Sequence, residues 1–333
     1  MTIQMNNDSA QAIEAAKQGE GVAVLIPCYN EEITIGKVID DFKVALPKAD
    51  IYVYDNNSKD KTSEIAAEHG AIVRFESRQG KGNVCRSMFR DIDADYYIMV
   101  DGDDTYPAEF APALIEPMAS GMADMTVGDR LSNGSYGDEN DRAFHGFGNN
   151  LVRWLIKVIY GFAFDDVMTG YRGMTRTFVK TMPVMSQGFQ IETELSIHAV
   201  DKGWRVVDVP IDYRDRPDGS ESKLDTFGDG AKVLMAIASL FKENKPMAFF
   251  GWLSLILLIV GLLFGIPVIA EFVTTGLVPR FPTAILSMGI IMCAVVSLFV
   301  GMILDNVAKN NRRVWELEVI RVEEQARRAK HSN

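Results

Sequence analysis

Cysteine is scarce in this sequence, and the three present, Cys28, Cys85 and Cys293, are scattered. No disulfide framework can be built from that spacing, and a reduced compartment is expected. Positive charge is in deficit. A formal net charge of −11 over 333 residues argues against nonspecific nucleic-acid binding, although local basic residues can still hold phosphate. Residues 1–20 have neither a basic n-region nor an apolar h-region. They read as a partly helical lead-in rather than a signal peptide. The Gly-rich dinucleotide fingerprint is missing after the first apolar strand. Internal repeats and low-complexity tracts are also missing.

What the chain does have is two long runs without charge, Ala248–Ala270 and Thr283–Leu304. Each is about 22 residues, enough for a helix to cross a hydrocarbon core of roughly 30 Å. Lys242 and Lys245 precede the first run, and Lys309, Arg312 and Arg313 follow the second. The loop between them, Glu271–Pro282, carries one acid and one base. The positive-inside rule then puts both termini in the cytoplasm and the loop outside. The expected division is a catalytic domain over 21–224, a juxtamembrane amphipathic helix over 225–247, spans at 248–270 and 283–304, and a cytoplasmic tail over 305–333. Within 225–242, Val233, Leu234, Ile237, Leu240 and Phe241 recur at helical spacing; that face either lies on a membrane surface or packs on the domain.

The first 130 residues alternate strand and helix signals. GVAVLIPCY, IYVYD, AIVRFE, YYIMVD and ADMTVGD read as strands; helices are expected from Glu32 to Ala45 and over DKTSEIAAEHG, GNVCRSMFRDI and AEFAPALIEPMAS. Alternation of this kind implies an α/β fold with a mainly parallel sheet covered on both faces. Ligands of such sheets bind beyond the carboxyl ends of the strands. Asp55, Asp101 and Asp129 all fall at such ends. Leu131–Phe147 is a polar, Gly-rich loop, followed by a helix over Asn149–Tyr160, a strand in WRVVDVPIDY and a polar loop, RDRPDGSESK.

The strongest chemical signal is Asp101-Gly102-Asp103-Asp104, directly after an apolar strand. Crowded carboxylates raise one another's pKa unless a cation intervenes. Mg²⁺ or Mn²⁺ bridging a diphosphate would relieve that repulsion. An exposed acidic turn is the plain alternative. Pro27-Cys28-Tyr29-Asn30-Glu31-Glu32 ends the first strand; Asn30 is expected to cap the next helix, with Tyr29 and Glu31 placed to touch a base and ribose. Asp55 alone reads as a turn or capping carboxylate. His145 and His198 are expected in polar or packing roles, and Gly170 and Gly173 fit a plain turn.

PCYNEE, YDNNSKD, DGDDTYP, GDR, MTGYRG, the ETE segment and RPDGSESK occur in this order. The set resembles family 2 glycosyltransferases of the GT-A fold, and within them the polyprenyl-phosphate glycosyltransferases that include dolichol-phosphate mannose synthases. It covers roughly Gly21 to Lys223. The resemblance implies that Pro27, Tyr29, Glu31 and Asp55 hold the nucleoside. Asp101 and Asp103 match the family's Asp-x-Asp, with Asp103 on the metal, Asp101 on nucleotide or metal, and Gly102 allowing close approach. Thr105 stands where the family often has a Gln ligand; Asp104 or water is the alternative third ligand. Arg130 and Arg142 would bind the acceptor phosphate. Arg216 and Lys223 match the basic loop that clamps the donor diphosphate, with Arg214 as a rival to Arg216. Asp165, Asp166, Tyr171 and Arg172 resemble the acceptor side, and Glu192 and Glu194 would border the site.

The implied reaction is an inverting transfer of one sugar from a nucleotide sugar, UDP-glucose or UDP-N-acetylglucosamine, to undecaprenyl or a related polyprenyl phosphate. The product would be a β-linked lipid phosphosugar for modifying envelope polysaccharide. The expected cofactor is Mg²⁺ or Mn²⁺. The expected setting is the inner (plasma) membrane, without nucleic acid, and relatives imply a homotetramer. A processive polysaccharide synthase is the second reading; its Gln-x-x-Arg-Trp motif is missing. A catalytically inactive membrane scaffold is the third.

Overall fold

The structure is a computed structural model, and it describes residues 7–132, 143–161, 166–217, 219 and 226–332. The chain divides into two compact units, Met1–Ile237 with Val319–Asn333, and Ala238–Glu318.

The first unit is built on seven strands: β1 (Val22–Cys28), β2 (Asp50–Asp55), β3 (Ile72–Phe75), β4 (Tyr96–Met99), β5 (Met125–Asp129), β6 (Arg172–Thr175) and β7 (Val206–Pro210). They are ordered β3-β2-β1-β4-β6-β5-β7. β1 pairs parallel with β2 and β4, β2 with β3, and β5 with β7; β6 runs antiparallel between β4 and β5. The expected mainly parallel α/β sheet is therefore present. β1 is central and, apart from Pro27, buried along its length, which is why VAVLIPC reads as an unbroken apolar run rather than an alternating one. β3 lies at the edge, and its side chains are mostly exposed.

Helices of this unit are α1 (Asn7–Lys17), α2 (Ile35–Ala45), α3 (Thr62–Glu68), α4 (Lys81–Asp91), α5 (Ala111–Ala119), α6 (Ala143–Tyr160), α7 (Arg176–Thr181), α8 (Ile191–Lys202) and α9 (Thr226–Asn244). Gly70, at φ 73°, closes α3 as its sequence implied. Several local expectations fail, among them the loop read over Leu131–Phe147, of which Ala143–Phe147 belongs to α6. The second helix starts at Ile35, not Glu32, with Thr34 at its N-cap. Asn30 is not that cap; it sits at φ 54°, and its side-chain oxygen accepts the Lys59 amide proton at 2.7 Å. Asn tolerates this left-handed conformation better than most residues. The segment containing Gly170 and Gly173 is not only a turn, because Arg172–Thr175 forms β6.

Register sets the site. Cys28 lies beside Asp55, so β1 and β2 end level, whereas β4 stops at Met99 opposite Leu25, and the acidic segment that follows it runs on beside the end of β1, with Gly102 against Cys28. β6 is antiparallel, so it begins where β4 ends, with Arg172 opposite Met99. The loop leading into β6 therefore arrives at the same edge as the acidic segment after β4.

In the second unit, α10 (Pro246–Thr275) and α11 (Phe281–Ser332) are both long and apolar enough to cross a membrane. They pair as an antiparallel hairpin. The Ser254 hydroxyl of α10 donates to the Ala294 carbonyl of α11 at 2.8 Å, and the Ser287 and Ser297 hydroxyls of α11 donate back to the Gly261 and Phe250 carbonyls of α10 at 2.8 and 3.1 Å. Trp252, Leu263, Phe264, Ile269, Met288 and Phe299 stand exposed, a pattern suited to lipid rather than water. The second helix does not stop at Leu304. It continues through the charged segment to Ser332.

Candidate active site

The loops after β1 and β2 are stitched to each other. Asn30 and Glu31 donate their amide protons to the hydroxyls of Ser58 and Thr62 at 2.9 and 2.8 Å. Asp55 is buried and accepts the Ser58 amide proton, at 3.2 Å. Tyr29 and Pro27 lie half-buried on the same edge. Thr34 donates its hydroxyl proton to the Gly102 carbonyl at 2.6 Å, which ties the start of α2 to the acidic segment. A Cβ on Gly102 would meet the Cys28 sulfur at 2.9 Å, so glycine is needed there for packing. Burial pushes the Cys28 thiol well above its ordinary range, and the carboxylates of Glu31, Asp55, Asp101 and Asp103 push it further. Four separated acids therefore act on one point of the strand edge.

Each carboxylate of the central pair has a cation. Arg216 donates to Asp103 Oδ2 at 2.5 Å, so Arg216 rather than Arg214 reaches the pair; Arg214 instead pairs with Glu109 at 3.2 Å. Thr105 occupies the other Asp103 oxygen, Oδ1, through its hydroxyl at 2.6 Å and its amide at 3.2 Å. Thr105 thus orients Asp103, and the expectation that it is itself a metal ligand is not supported by this geometry. Burial and the Asp101 charge raise the Asp103 carboxyl above its usual value, and Arg216 opposes them. Asp104 is at φ 59° and pairs with Lys37 at 2.7 Å, so it is already engaged away from Asp103.

Asp101 pairs with Lys81, the first residue of α4, and Lys81 also pairs with Glu192 of α8 at 2.6 Å. Lys81 and Glu192 side chains are only 9% and 8% exposed. Burial by itself would lower the Lys81 ammonium, but Asp101 and Glu192 outweigh it and hold the group well above its ordinary value. Burial raises the Glu192 carboxyl, with Lys81 pulling against it. Glu192 is therefore a buried, paired acid at the start of α8. Gly80 and Gly82 flank Lys81 because the carbonyls of Gln187 and Ser186 lie where Cβ atoms would project. Glu194 fixes that loop by accepting the Met185 and Ser186 amide protons at 2.9 and 2.8 Å. On the opposite side, Gly170 packs against the Asp101 carboxylate where no Cβ would fit.

Arg130, expected at the acceptor phosphate, is engaged within the protein. It is buried, and its Nε and Nη2 donate to Asp166 at 2.6 and 3.0 Å. Nη1 reaches the Tyr106 hydroxyl at 3.3 Å, and the guanidinium lies 5.1 Å from the Tyr213 ring centre. The paired donors that would grip an acceptor phosphate are spent on a carboxylate. Tyr106 also accepts the Gly170 amide proton at 3.0 Å. Arg130 thus pins the loop before β6 to the acidic segment. Arg172 is fully buried and donates to the carbonyls of Val167 and Thr169 and the Ser196 hydroxyl. The Tyr171 ring packs between Phe42 and Tyr106. Both residues support the site rather than line it. His198 packs edge-on to Phe178, a packing role as expected. Arg142, Asp165 and Lys223 lie outside the described residues.

Comparison with known proteins agrees with this arrangement. Glycosyl transferase family 2 matches residues 23–180. Glycosyltransferase AglJ of Haloferax volcanii is 33% identical over 304 residues, 90% of this chain and 99% of its own. A dolichyl-phosphate hexose transferase of the same organism is 30% identical over 227 residues, 68% of this chain and 96% of its own. Among solved structures, glucosyl-3-phosphoglycerate synthase of Mycobacterium tuberculosis, in complex with Mn²⁺, uridine diphosphate and phosphoglyceric acid, superposes with a TM-score of 0.58 at 22% identity. That match covers 69% of this chain and 81% of the other and shows a shared GT-A fold. With a relative this similar along nearly its whole length, the chain belongs to glycosyl transferase family 2 and is a glycosyltransferase.

Proposed function

We propose that the enzyme transfers one sugar from a nucleotide sugar to a polyprenyl phosphate held in a membrane. The observation that carries this reading is the pairing of a cation-balanced carboxylate pair at the β4 edge with two helices long and apolar enough to span a bilayer. The similarity to a dolichyl-phosphate hexose transferase supports the lipid acceptor. UDP-glucose and UDP-N-acetylglucosamine are the proposed donors, and undecaprenyl phosphate the proposed acceptor. Flanking charge supports cytoplasmic termini and a catalytic domain on that side of the inner membrane. The proposed division of the chain remains 21–224 for catalysis and 248–270 and 283–304 for the spans, and a homotetramer is the proposed assembly.

Asp101 and Asp103 supply hard oxygen donors suited to Mg²⁺ or Mn²⁺. Among the described residues no group of three His, Cys, Asp or Glu side chains could hold an ion. Asp101 and Asp103 would then be the residues that hold it, as Mg²⁺ is commonly bound by one or two carboxylates together with substrate phosphate. When bound, the ion would neutralise charge on the departing diphosphate. Pro27, Tyr29, Glu31 and Asp55 are proposed to hold the nucleoside, and Arg216 and Lys223 the diphosphate. Thr105 fixes the Asp103 carboxylate, and Lys81 fixes Asp101. A polyprenyl monophosphate has a second pKa near ~6 and is already anionic at neutral pH, so attack on the anomeric carbon needs no strong general base. Alignment and leaving-group stabilisation are the main demands. One displacement inverts the anomeric centre and gives a β-linked lipid from an α-linked donor.

A panel of nucleotide sugars incubated with undecaprenyl phosphate and the full-length protein, read by mass spectrometry of the extracted lipid, tests the proposal. A lipid gaining one sugar is expected. Polymer growth without a lipid monophosphosugar would favour a processive synthase, and no product from any donor would favour an inactive scaffold.

A further inference from the structure

We infer that Arg216 is an exchangeable counter-cation: it occupies Asp103 while no divalent ion is bound and turns to the donor's diphosphate when the ion takes its place. This rests on the donor-site reading above.

The two oxygens of Asp103 are used differently. Oδ1 is satisfied by the Thr105 hydroxyl and amide, at 2.6 and 3.2 Å, both from the residue two positions on. Oδ2 faces the Arg216 guanidinium at 2.5 Å. The oxygen that Thr105 leaves available to a cation is therefore the one Arg216 covers. A guanidinium and a divalent ion cannot both sit against one oxygen at bonding distance without strong mutual repulsion. Occupancy of Oδ2 is an either-or choice.

The two cations of the pair are also held differently. Lys81 sits in the first turn of α4, 9% exposed, and is gripped by two carboxylates, Asp101 and Glu192. Arg216 comes from the irregular segment after β7, its side chain is 29% exposed, and it reaches the pair through Nη2. Its backbone is tethered two residues earlier, where the Arg214 amide donates to the Thr105 carbonyl at 2.9 Å. Arg216 can therefore swing about an anchor fixed to the acidic turn, whereas Lys81 cannot leave without stranding Glu192. A nucleoside diphosphate arriving with its ion offers the displaced guanidinium a new anionic partner, and guanidinium matches phosphate oxygens well. The exchange keeps the acidic pair neutralised in both states and makes ion binding alone unfavourable relative to ion with diphosphate.

The test uses full-length wild type, Arg216→Ala and, as a control, Arg214→Ala. Mn²⁺ affinity is measured without nucleotide by paramagnetic resonance, and UDP affinity by calorimetry with and without Mn²⁺. The inference requires opposite signs. Arg216→Ala should bind Mn²⁺ alone about tenfold tighter, because a charged hydrogen bond no longer competes, and UDP with Mn²⁺ about tenfold more weakly. Arg214→Ala should bind Mn²⁺ as wild type does. Unchanged or weaker Mn²⁺ binding in Arg216→Ala overturns the exchange, as does unchanged UDP binding or an equal tightening in Arg214→Ala. If Mn²⁺ fails to strengthen UDP binding by the wild type, the donor-site reading itself falls and the exchange with it.

Discussion

Replacing Lys81 by Met keeps the length of the side chain but removes the one cation shared by Asp101 and Glu192. Both partners are desolvated to different degrees: the Glu192 side chain is 8% exposed and that of Asp101 is 28% exposed. Removing one member of a buried ion pair typically costs about 3–5 kcal/mol, because the remaining charge is left without compensation. For a domain of this size, each kcal/mol lowers Tm by roughly 2–4 °C, so the variant should melt roughly 6–20 °C lower than wild type. The sign with pH follows from Glu192. Burial already raises its folded carboxyl, and loss of Lys81 raises it further. A group that binds its proton more tightly when folded than when unfolded makes stability fall as pH rises, so the deficit should be smaller in mild acid than at neutrality. Adding Glu192→Gln removes the stranded charge, and the double variant should recover much of the loss. Thermal melts of the detergent-purified protein at several pH values, arranged as a double-variant cycle, measure this coupling. A Lys81→Met protein melting within about 1 °C of wild type, or a double variant that is additively worse, would refute the reasoning.

Arg130→Ala should lower Tm strongly and weaken donor and acceptor together, because it strands the fully buried Asp166; a normal melt with loss of acceptor affinity alone would return Arg130 to the role of phosphate ligand. Gly170→Ala should lower turnover by pushing the Asp101 carboxylate out of place, and full activity with an unchanged Mn²⁺ requirement would show that this packing does not matter. Burial, aided by Lys202, lowers the His198 pKa to about 3, so native stability should fall as pH drops below the unfolded value near ~6.5, by up to about 1.4 kcal/mol per pH unit. His198→Gln should flatten that acid limb in melts between about pH 4 and 7, and an unchanged slope would assign the acid loss to other groups.

The strands β1 to β5 were legible because branched, apolar runs such as VAVLIPC alternate with helical spacing and closing glycines. The acidic turn was legible because its charge follows such a run directly. β6 was not, because Arg172–Thr175 is four residues long, contains Gly173 and lacks an apolar alternation. Its antiparallel entry is what brings Asp166 and Gly170 to the β4 edge, so their positions were equally hidden. The ion pair of Glu192 was hidden because nothing local marks its partner; Lys81 lies far upstream, and the two meet only through packing of α4 against the loop before α8. The Gly80-Lys81-Gly82 sequence carried a usable signal, since glycines on both sides of a lysine at a helix start allow close backbone approach. The Asp166 pairing of Arg130 was hidden for a related reason. GDR fits a phosphate ligand in isolation, and its carboxylate partner is supplied by a distant loop. The continuation of α11 beyond Leu304 was hidden by the change from apolar to charged residues, although i,i+4 pairs such as Asp305 with Lys309 and Glu323 with Arg327 favour helix.

In the proposed reaction the carboxylate pair after β4 drives sugar transfer to a lipid phosphate. The most direct measurement is formation of lipid-linked sugar by full-length wild type and Asp103→Asn, with undecaprenyl phosphate as acceptor, across a Mn²⁺ titration and with a melting curve for each protein. Asn preserves shape but removes the charge that Arg216 or a divalent ion balances. The expected result is a folded variant whose rate is lower by about 10²–10³ and is not restored by added Mn²⁺. Near-wild-type turnover in a folded Asp103→Asn protein, with unchanged Mn²⁺ dependence, would contradict the account.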